Sequence, residues 1–187
     1  LTVSASQLKT DVPPGPYVFS VQRWSIDGIQ SQEKLDYRAV PLRGAVELLN
    51  DERAEDLVVT AATAGRTWMG ASSRVDWDEA GERAWNQCLG ASSEAYEEFV
   101  RQLENRNEDR ADTQEQTLRD HLENQRERLL EIKRGHQREG RDPLAKATQG
   151  RIDKLENRVE RELLRIDKER ELDHKQEDIC VGVIKVS

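Results

Sequence analysis

The chain has 187 residues, a formal net charge of −8, 35% charged residues and 5% aromatics. That length suits one medium domain or a small domain plus an arm, and that composition excludes a large core throughout. No apolar run approaches the roughly 20 residues that span a bilayer, and two cysteines, Cys88 and Cys180, provide neither a disulfide framework nor a zinc set.

The chain opens on Leu1 and its one methionine is Met69, so a segment of a longer protein is expected. Its cysteines read as reduced, buried thiols of a cytoplasmic protein. Val12-Pro13-Pro14-Gly15-Pro16 is a stiff connector, because proline fixes φ and blocks pairing. Tyr17 to Trp24 is rich in strand formers, Asp27-Gly28 signals a turn, and Leu35, Tyr37 and Ala39 alternate with Asp36 and Arg38. An antiparallel hairpin with one dry face is predicted. Asn50 or Asp51 then caps a helix carrying Ala54, Leu57, Val58 and Ala61, closed by Gly65. A helical pattern resumes at Asp76 through Trp77, Ala80, Ala84 and Cys88, with Gly90 and Ser92-Ser93 as a break or kink.

From Leu103 to Asp173 the chain is almost wholly charged or amide-bearing, with a thin apolar seam. Leu118, Leu122, Gln125, Leu129 and Ile132 step by four and three, the a/d spacing of a coiled coil. Ala145, Thr148, Ile152, Leu155, Val159, Leu163 and Ile166 form the returning seam. Gly135 and Gly140 end the first helix, and Asp142-Pro143 starts the second. The two helices fold back on each other, with the turn near 135–143. After Gln176 the composition changes to Ile179-Cys180-Val181-Gly182-Val183-Ile184, a buried strand that must pair with the sheet of residues 17–41. The expected fold is α+β: a small antiparallel or mixed sheet with packed helices forms a base (1–100 plus 176–187). A long protruding antiparallel coiled-coil hairpin (101–175) is inserted in it.

The charge is unevenly placed. Residues 101–175 hold 19 basic and 19 acidic side chains, the remainder 10 and 18. Near the turn the balance reverses: Lys133, Arg134, Arg138, Arg141, Lys146 and Arg151 face only Glu131, Glu139 and Asp142. This basic spot reads either as a solvated turn or as a phosphate contact. Arg23 and Trp24, with Trp68, Trp77 and Trp85, read either as an exposed docking patch or as packing at the root of the arm. The sequence carries no phosphate-binding loop, dinucleotide fingerprint or nucleophile elbow. No catalytic residue, cofactor or metal is therefore expected.

The run Tyr17 to Gly28, then Leu35-Asp36-Tyr37, the arm, Arg158 to Arg170 and the closing strand resemble the C-terminal region of large bacterial DEAD/DEAH-box helicases. These are Snf-type ATPases, similar to the helicase component of the DISARM anti-phage system. The resemblance implies a non-catalytic accessory domain behind a DNA-translocating, ATP-binding motor. Its partners would be duplex DNA at the hairpin tip and the motor lobes of the same protein. The alternative is a structural or protein-interaction coiled coil without a nucleic-acid role, open to homodimer formation through its seam. No membrane is expected among the partners.

Overall fold

The computed structural model describes residues 1–44, 47–71 and 77–187, without the side chains of Trp77 and Asp78. The expected helix start at Asp76 and the Trp77 side chain lie outside the described residues. The fold is α+β. Strands β1 (Thr2–Val3), β2 (Gly15–Asp27), β3 (Gln32–Pro41) and β4 (Asp173–Val186) form a mixed sheet in the order β1–β4–β2–β3. The helices are α1 (Asp51–Ala64), α2 (Glu82–Arg138) and α3 (Asp142–Arg170). Two units divide the chain: residues 1–26, 32–101 and 174–187, and residues 27–31 and 102–173. The loop at 27–31 thus belongs with the hairpin rather than with the residues around it in sequence.

In the first unit β2 and β3 pair antiparallel from Tyr17↔Pro41 to Ile26↔Gln32. Successive side chains point to opposite faces, and both faces of β2 are covered, in place of the single dry face expected from the alternation. On one face Tyr17, Phe19, Val21 and Ala39 pack with Ala54, Leu57, Val58 and Ala61 of α1. Asn50 caps that helix by accepting the Arg53 N–H at 2.9 Å, and Gly65 follows its end. On the other face Val18 and Val40 pack against Ala84 and Cys88 of α2, which runs unbroken through Gly90 and Ser92-Ser93.

Beyond this apolar patch the sheet presents polar groups to α2. Asp36 and Arg38 make a bidentate pair (2.8 and 2.6 Å), and Arg38 also reaches Asp51 at 2.8 Å. Ser92 of α2 donates to Asp36 at 2.7 Å and lies against the side-chain amide oxygen of Gln22. Gln22 in turn donates to Asp178 of β4 at 2.7 Å. Asp36, Arg38, Gln22 and Ser92 are all buried, so each needs its partner.

β4 does share the sheet with residues 17–41, but it is longer and less buried than the apolar run Ile179 to Ile184 suggests. Its Glu177 meets Arg23, and a Cβ on Gly182 would touch the Phe19 ring. Arg23 and Phe19 share one face of β2, so Glu177 and Gly182 share a face although they stand an odd number of positions, five, apart. One extra residue lies between them, a β-bulge that reverses the alternation. Ile184 and Val186 consequently reach the core, whereas Ile179 and Val181 are 52% and 47% exposed.

In the second unit α2 ends in a Schellman motif. Gly140 has φ +69°, its N–H donates to the Gln137 carbonyl at 3.2 Å, and the Arg141 N–H donates to that of His136 at 2.8 Å. The returning helix buries Ala145, Thr148, Ile152, Leu155, Val159 and Ile166, the seam expected from spacing. Along α2, Leu118, Leu122, Gln125 and Leu129 are half-buried. Ile132 departs from the pattern at 50% exposed. Lys133 turns inward instead and donates to Gln149 at 2.6 Å. A shift from the 3.5-residue repeat toward the natural 3.6 places position 133 on the seam. Cross-helix contacts such as Arg126 to Glu156 (2.9 Å) confirm the antiparallel arrangement.

Asn107 closes the end of the hairpin opposite the turn. Its amide donates to the carbonyls of Glu169 and Arg170 at 2.8 and 2.7 Å, and its oxygen accepts the Ile29 N–H at 3.1 Å. It thereby satisfies the last carbonyls of α3, which have no helical donor. Asn107→Ala leaves three half-buried backbone groups without this partner. It is expected to lower stability by about 2–4 kcal/mol, measured as a shift of the urea midpoint at unchanged slope. The thiols should differ as well: burial pushes Cys88 up to about 11, while Cys180 is exposed. Ellman's reagent is expected to titrate one thiol in the native protein and two in guanidinium.

Candidate nucleic-acid interface at the hairpin turn

The six basic residues near the turn come from the last two turns of α2, the connecting residues and the start of α3, but they do not act alike. Lys133 is committed to Gln149 in the seam, and Arg141 pairs with Glu139 at 3.1 Å. Arg134, Arg138, Lys146 and Arg151 are exposed, and among the described residues none has a carboxylate partner. Arg134 and Arg138 stand one turn apart and therefore share a face of α2. Elsewhere in this unit several arginines are neutralised. Arg119 pairs with Glu115 at 2.7 Å and Arg165 with Glu162 at 3.0 Å, while Arg170 gathers Glu108, Asp112 (2.8 Å) and Glu115 (3.1 Å).

A groove of about 1010 Å³ runs along α2 toward the turn. Arg126, Arg134 and Arg138 line it together with Glu123, Glu127 and Leu130. Its signs alternate, a feature legible from the i, i+3 and i, i+4 spacing of these residues but not singled out by a search for net charge.

The tryptophans separate into different surroundings in the first unit. Trp24 is fully buried on the α2 side of the sheet, its ring centroid 5.5 Å from Tyr96 and 5.4 Å from Phe99. The Lys34 ammonium lies 4.8 Å from the Trp24 centroid. Trp85 packs with Val18, Val40, Ala84 and Cys88. Trp68 is half-buried beside Lys185. Trp24 and Trp85 thus pack the start of α2 onto the sheet. Among the described residues no group of three His, Cys, Asp or Glu side chains gathers as a metal site, and no helix is long and apolar enough to cross a membrane.

Comparison of the chain with protein-family models, curated proteins and solved structures returns no match.

Arg23 sits on the opposite face of β2 from Trp24 and pairs with Glu177, which Lys175 also contacts at 2.5 Å. The Lys175 ammonium and the Arg23 guanidinium hold the Glu177 carboxyl down at about 2. A carboxylate whose folded pKa is depressed contributes stability above its unfolded pKa of about 4.3, lost as pH falls toward the folded value. Glu177 is expected to stay ionised to about pH 2 in a carbon-detected NMR titration. Arg23→Ala should move its midpoint back toward the ordinary carboxylate range.

Proposed function

We propose that this chain is a non-catalytic accessory module of a helicase-like, DNA-translocating ATPase of the cytoplasm, and that the turn of its hairpin contacts the DNA backbone. The observation that carries this reading is the positive excess at the turn. Five of its six cations have no carboxylate partner among the described residues, and four of these, Arg134, Arg138, Lys146 and Arg151, are exposed and open to phosphates. The architecture suits a reaching contact, since α2 extends over about 55 Å from residue 102 to the turn at 1.5 Å per residue. The Schellman turn holds the cations on a fixed backbone. Contacts of this kind are independent of sequence and strongly salt-dependent, and they yield dissociation constants on the order of 10⁻⁴–10⁻⁶ M at physiological salt. Tethering to a motor raises the effective concentration enough for such an affinity to matter.

The groove along α2 supports a second reading. Alternating arginines and glutamates around Leu130 suit a partner helix of complementary pattern better than a polyanion, as in coiled-coil pairing through flanking charges. The hairpin would then recruit a protein.

Fluorescence anisotropy with a labelled 20-base-pair duplex distinguishes the two. Binding at 50 mM salt is expected, with log K falling against log salt at a slope of about −3 to −4 for four contacts. Arg134→Glu, Arg138→Glu and Lys146→Glu together should abolish it while the helical circular dichroism stays unchanged. Absence of binding by the wild type, or equal binding by the triple variant, would leave the protein-recruiting reading.

A further inference from the structure

The first unit carries more acidic than basic residues, and its principal arginines are paired: Arg23 with Glu177, Arg38 with Asp36 and Asp51. Several cations break that rule, Arg43, Arg53 and Lys185 among them. These three have no carboxylate partner among the described residues, and Arg53 and Lys185 are half-buried. Half-burying a cation is costly unless something compensates it. All three lie on the walls of two adjoining cavities at the Pro13–Tyr17 end of β2. The first, of about 600 Å³, holds Arg43 and Arg53; the second, of about 350 Å³, holds Lys185 and Trp68. Pro16 and Arg43 line both, so the cavities form one cleft with Arg43 at its middle.

The remaining wall chemistry points the same way. Among the described residues of these walls Glu47 is the single carboxylate. The Trp68 indole N–H is buried without a hydrogen-bond partner, while Lys185 stands 5.8 Å from that ring. Pro13, Pro14 and Pro41 supply rigid apolar walls, and the Tyr17 hydroxyl is fixed by donating to the Pro13 carbonyl at 2.7 Å. The cleft crosses the sheet from Lys185 on β4 over Pro16 on β2 to Pro41 on β3. Two strand spacings make this crossing about 10 Å, the length of three extended residues at about 3.3 Å each.

We propose that this cleft is a binding groove for a short, extended, acidic peptide segment. The carboxylates of the segment would engage Arg53, Arg43 and Lys185 in turn, and its backbone would lie beside Trp68. Charge complementarity selects the occupant: cations outnumber carboxylates on these walls in a unit that is otherwise acidic. The rigid proline walls favour a chain that lies flat over a compact solute. The inference is independent of the hairpin turn, since no residue is shared between the two sites.

The test uses a fluorescein-labelled tetraglutamate peptide and the whole chain at 50 mM salt. Anisotropy should rise saturably, with the Trp68 indole N–H resonance shifting in parallel. A tetralysine peptide should produce neither change. Arg43→Glu with Arg53→Glu should weaken tetraglutamate binding at least tenfold, with the circular dichroism and melting temperature unchanged. Lys185→Ala serves as the second variant if that pair fails to fold, with a loss of a few-fold. The proposal is overturned if no binding occurs, if the Trp68 resonance stays still, or if the variants bind as the wild type does. Inorganic phosphate competing at the same concentration as the peptide would also overturn it, because the cleft would then be a simple anion site.

Discussion

A buried carboxylate governs the position of α2 on the sheet. Asp36 sits where a sheet covered by a helix would ordinarily present an apolar side chain. Removing a carboxylate from water costs several kcal/mol unless its oxygens are occupied. Arg38 occupies both oxygens and Ser92 adds a third donor. Sliding α2 by one turn would move Ser92 about 5 Å away and put a different side chain over the pair. The apolar contacts of Ala84 and Cys88 on one side and of Tyr96 and Phe99 with Trp24 on the other are less selective, since hydrophobic packing is non-directional. The polar network therefore specifies the register that the apolar groups stabilise. This is the role for which buried ionic groups are best attested in coiled coils.

The hairpin of the second unit is specified differently. Its seam is narrow and partly polar, and surface ion pairs contribute little each. Two devices at its ends do the orienting. The Schellman turn reverses the chain with three residues between α2 and α3, and Asn107 binds the last carbonyls of α3 together with the backbone at Ile29. Gly28 belongs to the same arrangement, because a Cβ there would overlap Leu172 and the Asn107 amide. Between these ends, pairs such as Arg126 to Glu156 fix the stagger of the helices.

Sequence periodicity revealed most of the hairpin, because repeated spacing and the Gly–Asp–Pro break are local signals. The cap at Asn50 and the buried face of α1 were legible for the same reason. The departures are non-local. Nothing in the run Ile179-Cys180-Val181 announces the bulge, which depends on how β4 meets Phe19 and Arg23 across the sheet. Lys133 displaces Ile132 from the seam because real helical twist accumulates against a strict heptad. The basic turn was visible as a charge count, yet the count could not separate Lys133 and Arg141, which have partners, from Arg134 and Arg138, which have none among the described residues. Arg43, Arg53 and Lys185 are too far apart in the chain for any spacing rule to gather them.

The antiparallel seam makes arm length a variable that can change without disturbing its fixed end. One heptad added to each helix keeps the phase of both seams and carries the turn outward by about 10.5 Å. The Asn107 lock and the Arg170 cluster stay as they are. An insertion in one helix alone would instead move Glu156 away from Arg126 and Gln149 away from Lys133, breaking the stagger along the whole arm. Length variation among relatives of such a module should therefore come in matched pairs of heptads placed symmetrically about the turn, so that its reach can be tuned by duplication while its attachment remains constant.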